Sequence, residues 1–247
     1  MGLINLGHFV PALVVVYLYM PPAEEAWPFL VASTFIHFLY YGFLIWSYRF
    51  GDLSQVYPIA RGSAPVLVAL GAQFFAGEIL PPLAWAGIFL VSFGISTLFL
   101  EHIDKKMRPT TLIAAILTGM TIASYSIVDG MGVRLSQSPL GYIGWLFVLE
   151  SVAGFGFLYY RRKILSTVSL KRYALGLAGG VISGLAYGLA IYAKSLTTLG
   201  TVSAIRESSV IIAAFIGVVW FGERPWQLRL IAAAIVACGV ALLASAN

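Results

Sequence analysis

Arg61 lies inside Tyr57-Pro58-Ile59-Ala60-Arg61-Gly62-Ser63-Ala64-Pro65, and Arg206 inside Val202-Ser203-Ala204-Ile205-Arg206-Glu207-Ser208-Ser209-Val210; both stretches are otherwise largely apolar. A guanidinium presents its donors as a planar fork that matches a carboxylate or a phosphate. A cation inside a run apolar enough to cross a bilayer is costly, and by default it marks a pathway or a binding site. Gly62 and Ser63 beside one arginine, and Ser208 and Ser209 beside the other, leave room for the fork to engage a bound anion. Pro58 and Pro65 interrupt helical hydrogen bonding around Arg61 and free backbone groups that can face a cavity. The competing reading is structural, with each arginine paired to an acid that locks helices together. On the functional reading, Arg61, Arg206, Ser63 and Ser208 contact a substrate, and Tyr57 and Tyr187 offer aromatic surface to it.

Two acids fall at membrane depth: Glu150, inside the apolar run 140–160, and Glu207, beside Arg206. Each can neutralise an arginine, and each can carry a coupling proton. A structural pair suits Glu207 better, whereas Glu150 fits both roles. Asp129, next to Gly130 at the end of an apolar run, reads as interfacial. His8, His37 and His102 show no metal-ligand spacing, and Cys238 is the single cysteine, so no metal site and no disulfide is expected. No cofactor is expected. Phosphate-cradling glycine loops, nucleophile elbows and zinc-protease signatures are absent from the sequence, which argues against ATP coupling within the chain and against an enzyme.

These residues must be positioned by membrane helices. Of the 247 residues, 60% are hydrophobic and 10% charged, and the mean hydropathy is +0.91. A soluble domain carries about 25% charged residues. The formal charge of +5 comes from cations between apolar runs, so it speaks for topology and not for nucleic acid. Nine runs are long enough to span: 3–20, 27–48, 55–76, 82–100, 111–128, 140–160, 172–193, 201–221 and 226–244. The breaks carry turn residues, among them Pro21-Pro22, Gly51-Asp52, Pro81-Pro82, Gly141 and Gly200. Every span should be helical, because an open sheet edge cannot be satisfied in lipid.

The chain repeats itself. A shift of 145 residues superposes Arg61 on Arg206, Ser63 on Ser208, Gly77-Glu78 on Gly222-Glu223 and Gly94 on Gly239. With a slip of one residue, Tyr41-Gly42 matches Tyr187-Gly188. The division expected is a first repeat over 1–100, a linker over 101–110 and a second repeat over 111–247. The first repeat holds four spans and the second five, so a symmetric plan expects a further helix ahead of residue 3. The two Gly-Glu pairs read as helix ends with their acids in interfacial water. Gly176, Gly180, Gly184 and Gly188 recur every four residues, which points to close helix packing. Eleven lysines and arginines fall in one alternate set of loops, and only Arg134 and Lys194 in the other. The rich set should be cytoplasmic, which places the C-terminus outside and makes the two repeats inverted.

The sequence resembles the EamA-type members of the drug/metabolite transporter superfamily. The resemblance is carried by the Pro-flanked Arg61 segment with Gly77-Glu78, and by Ile205-Arg206-Glu207-Ser208-Ser209 with Gly222-Glu223. It implies an all-α polytopic membrane protein of two inverted repeats, with a central cavity and secondary transport of a small metabolite. The expected function is alternating-access transport, in the outward direction, of a small polar or anionic metabolite. The alternative is a non-transporting membrane assembly or regulatory protein with a vestigial cavity. The expected setting is the bacterial inner membrane, crossed many times, with the C-terminus periplasmic. The expected partners are a small-molecule metabolite and the lipid bilayer, with no nucleic acid, and a homodimer is an arrangement the chain could take.

Overall fold

The structure is a computed structural model that describes residues 2–50, 53–102, 108–165, 168–222 and 224–246. Gly51-Asp52, linker residues 103–107 and Glu223 lie outside the described residues. The fold is all-α. Its helices are α1 (Gly2–Gly7), α2 (Phe9–Leu18), α3 (Trp27–Phe50), α4 (Leu53–Phe75), α5 (Pro82–Thr97) and α6 (Pro109–Leu135), followed by α7 (Pro139–Tyr160), α8 (Arg162–Leu165), α9 (Leu170–Lys194), α10 (Leu199–Arg206), α11 (Ser209–Val219) and α12 (Trp226–Ser245). Each of the nine apolar runs becomes one helix or a pair of consecutive helices. Among the described residues, seven helical stretches are long and apolar enough to cross a membrane, and Gly2–Leu18 forms a shorter apolar one. The 23-residue α4 is not among the seven. It carries Arg61, Pro58, Pro65 and Gln73, which dilute its apolar character.

The turn residues set the helix ends. Pro82 and Pro139 stand in the first turns of α5 and α7, where the missing N–H costs nothing. Gly77 and Gly222, equivalent under the repeat, both adopt left-handed backbone, at φ +64° and +62°. At the first, Glu78 N–H reaches back to the Ala72 carbonyl at 3.2 Å and closes the C-terminus of α4. A side chain at either glycine would be strained, which accounts for the residue type at both places.

The chain divides into two compact units. The first comprises Met1–Tyr41 with Val128–Leu196, and the second Gly42–Ile127 with Thr197–Asn247. Two of the boundaries fall inside α3 and α6, and the third lies between α9 and α10. In the first unit, Leu30, Tyr142, Leu146 and Ile191 form a fully buried core. Its glycine ladder lets α9 approach α1. A Cβ on Gly180 would stand 2.1 Å from the Ile4 carbonyl, and one on Gly7 would stand 2.2 Å from the Leu177 carbonyl. Gly176 meets Leu3 and Gly184 meets His8. The close packing expected of that ladder is therefore present.

In the second unit, Ile88, Val91, Ile95, Val236 and Leu243 form the core between α5 and α12. The packing of these two helices is reciprocal. Gly87 lies against the Gly239 carbonyl and Gly239 against the Gly87 carbonyl, both at 2.9 Å for an added Cβ, while Gly94 lies against the Ala232 carbonyl. The 145-residue shift turns Gly94 into Gly239 and Gly87 into Ala232. Equivalent residues thus exchange partners, as an internal two-fold relation requires. Large apolar side chains such as Phe74, Ile79, Ile182 and Leu189 stay exposed, as they do where the solvent is lipid. At the end of α7, Arg161 and Arg162 sit over the rings of Tyr160 and Tyr159, a pattern suited to the membrane interface.

Candidate functional site

In the second unit, the chemistry gathers where α10 gives way to α11. Glu207 and Ser208 break the helix. Backbone bonds there run three residues back, from Glu207 to Ala204, Ser208 to Ile205, Val210 to Glu207 and Ile211 to Ser208, at 2.9–3.1 Å. Such a tightened break in an apolar helix exposes backbone groups at depth, the arrangement transporters use around bound solutes. Glu207 is 2% exposed. Its Oε2 stands 3.2 Å from Nε of Arg61 on α4. The sequence placed Glu207 beside Arg206, but the contact at ion-pair distance comes from the other half of the chain. Arg206, the next residue in the chain, also acts electrostatically on Glu207.

The other predicted substrate contacts divide between the units. Tyr57, one turn before Arg61, lies with its ring 5.9 Å from the guanidinium carbon. Ser63 donates its hydroxyl hydrogen to the Ile59 carbonyl of its own helix at 2.8 Å and faces Gly119 of α6. Ser208 is half-buried within the helix break. Tyr187 belongs to the first unit.

Glu78 departs from expectation. It is 8% exposed, and both its carboxylate oxygens accept the Leu199 N–H at 2.9 Å. It therefore caps the first turn of α10, where unsatisfied amides and the helix dipole favour an anion. The reason is geometric: left-handed Gly77 turns the chain back so that the acid points into the fold and not into interfacial water.

The first unit holds a second polar cluster, most of which the sequence reading overlooked. Nδ1 of His37 on α3 stands 3.2 Å from Oε1 of Glu150 on α7. Both residues are buried. The same Nδ1 lies 2.9 Å from the Ser33 carbonyl. A carbonyl only accepts, so Nδ1 carries the hydrogen. The Tyr41 side chain hydrogen-bonds Glu150. Asp129 on α6 accepts hydrogen bonds from the Tyr142 hydroxyl at 3.2 Å and from the Tyr187 hydroxyl. Nζ of Lys194 sits over the Tyr187 ring, 5.6 Å from its centre. Next to this cluster, an apolar cavity of about 360 Å³ is bounded by His8, Phe147, Gly184, Gly188 and Tyr192.

Two expectations are corrected here. Asp129 is fully buried and not interfacial, because α6 runs on to Leu135 and leaves the residue inside the helix. Lys194 is 1% exposed and is no loop cation, because α9 extends to it. One signal for His37 was legible, namely the Ser33-to-His37 spacing of one helical turn on an apolar helix.

The chain matches the EamA-like transporter family over residues 109–245. No curated protein matches it. A solved crystal structure of a protein superposes with a TM-score of 0.74 at 18% identity, covering 98% of this chain and 86% of the other. At that identity the likeness speaks for the fold. The family match extends over more than half of the chain, on an all-α polytopic framework, so this protein belongs to the EamA-like transporter family and is a membrane transporter of the drug/metabolite kind.

Proposed function

We propose that the protein is a secondary-active transporter, working outward by alternating access, for a small metabolite that carries a carboxylate or phosphate group. The observation that supports this reading is the contact of Arg61 with Glu207 at a helix break, beside Arg206, which stands at the equivalent place under the 145-residue shift. A carboxylate of the chain meets the guanidinium of Arg61 there, so the site has the chemistry to hold a carboxylate of a solute. Arg61 and Arg206 would bind the anionic group, with Ser63, Ser208 and Tyr57 close by in sequence. Glu150 and Glu207 are the candidate coupling acids. The reciprocal packing of α5 against α12 supports two repeats related by an internal two-fold, 1–100 and 111–247, which rock during transport.

The test is counterflow in proteoliposomes with radiolabelled small carboxylates, zwitterionic amino acids and phosphate monoesters. Arg61→Lys retains the charge and loses the fork. It should lower uptake of an anionic solute about tenfold or more, at unchanged protein content, since a charge-assisted hydrogen bond contributes roughly 1.5–3 kcal/mol. Wild-type uptake in Arg61→Lys, or uptake confined to uncharged solutes, would refute the anion site.

A further inference from the structure

The 145-residue shift that superposes Arg61 on Arg206 and Ser63 on Ser208 also superposes Gly62 on Glu207. The two repeats thus share the arginine and the serine and differ at the residue between them. The first repeat has no room for an acid at this place. A Cβ on Gly62 would stand 2.7 Å from Oγ of Ser96 and 3.4 Å from the Ser92 carbonyl, both on α5. In the second repeat the place falls in the break between α10 and α11, and the carboxylate meets Arg61 of α4. Two equivalent arginines therefore come with one acid.

The three charges differ in access. Glu207 is fully buried, whereas Arg61 and Arg206 are half-buried. Arg61 stands 3.2 Å from the Glu207 carboxylate, and Arg206 is its neighbour in the chain. These two arginines are the charged side chains that act electrostatically on Glu207. Tyr57 beside Arg61, and Tyr48, on which Arg61 acts, bring no formal charge. Glu78 is committed to the opposite end of α10, where its oxygens accept the Leu199 N–H. That end is one helix length away, roughly 12 Å for the eight residues of α10. Two guanidiniums and one carboxylate leave a single positive charge at the break.

A single positive charge within an apolar helix bundle discriminates by valence. A solute group with one negative charge neutralises it. A group with two leaves a negative charge in excess, next to a buried carboxylate that repels it, and a buried charge without a partner is strongly unfavourable. Rejection of this kind needs no steric clash, because the uncompensated charge is itself the penalty. A carboxylate carries one charge at neutral pH, whereas a phosphate monoester carries about two.

We propose that Glu207 sets the valence that the site accepts: solutes entering with one negative charge, such as monocarboxylates and phosphate diesters, are carried, and dicarboxylates and phosphate monoesters are rejected. This inference rests on the anion-transport reading above and narrows its substrate class.

The experiment uses the full chain in proteoliposomes, by counterflow at equal pH of about 7.5 on both sides, where a phosphate monoester is close to doubly charged. The radiolabelled probes form two pairs that differ by one charge: glycerate with tartronate, and the methyl diester of glycerol phosphate with glycerol phosphate itself. Wild type should carry the singly charged member of each pair about tenfold or more faster, since leaving a buried charge unpaired costs at least a factor of that order. Glu207→Gln leaves two guanidiniums and should lower that ratio about tenfold or invert it. Arg61→Gln combined with Glu207→Gln returns the site to one positive charge and should return the ratio toward that of wild type. A purely structural role of Glu207 would change protein amount and both rates together and leave the ratio in place.

A wild type without preference, a wild type that prefers the doubly charged members, or a folded Glu207→Gln with the wild-type ratio overturns the proposal. Should Glu207→Gln fail to fold, the wild-type ratio and the double variant decide, and a double variant that favours the doubly charged members overturns it. Exchange of anions without regard to valence leaves the anion-transport reading standing and removes this inference alone. Exchange of no probe in either pair removes both.

Discussion

Arg61 and Glu207 show how one residue can serve two demands. Glu207 is buried, and its charge is tolerable because Arg61 lies 3.2 Å away and Arg206 acts on it as well. A buried ion pair adds little net stability, yet removing one partner strands the other charge. Arg61→Ala should therefore destabilise the protein by about 3–5 kcal/mol. Arg61→Ala combined with Glu207→Gln should recover most of that, because no buried charge is left without its counter-charge. Thermal unfolding in detergent, followed by loss of monodispersity, reads the cycle. A single variant that melts with the wild type would show that the pair holds nothing together. In the proposed anion site, stability and recognition would draw on the same guanidinium, so abundance must be measured beside uptake at this position.

At the scale of elements, the two halves solve one problem differently. In the first half, α4 is a continuous helix from Leu53 to Phe75 despite Pro58 and Pro65. In the second half no proline intervenes, yet the helix breaks at Glu207 and Ser208. Prolines were the legible sign of irregular backbone, and they lie in the half that stays helical. At the break, the carboxylate of Glu207 stands 3.2 Å from Arg61. The opposite end of α10 is held by Glu78, whose two oxygens accept Leu199 N–H. Glu78→Gln keeps the shape and one acceptor and loses the charge at the helix start. A cost of roughly 1–2 kcal/mol is expected, in the range of a lost N-cap. Hydrogen exchange should then speed up at the first amides of α10 and stay unchanged in α12. Wild-type protection at Leu199 in that variant would show that the charge of Glu78 does not hold the helix start.

For the whole molecule, orientation in the membrane is carried by loop charge. In the sequence the contrast between the two sets of breaks is eleven cations against two, Arg134 and Lys194. The C-terminus should accordingly face the periplasm. A C-terminal alkaline phosphatase fusion should be active and a fluorescent-protein fusion dark; the reverse pattern would invert the orientation. By itself the sequence determined the all-α class, the places of the helices, the glycine turns at Gly77 and Gly222, the internal repeat and the family. These follow from local causes: lipid forces every backbone group to be satisfied within its own helix, and apolar length marks each span. Only the tertiary structure decided which charge meets which. Arg61 and Glu207, His37 and Glu150, and Glu78 and Leu199 are brought together from remote parts of the chain. It also decided that Asp129 and Lys194 lie inside the fold. The physical reason is that these helices are apolar nearly all round, so their sequences carry little record of which face turns to protein and which to lipid. That rotation is set by close packing at glycines and by the pairing of a few buried charges, and both exist only once the helices have met.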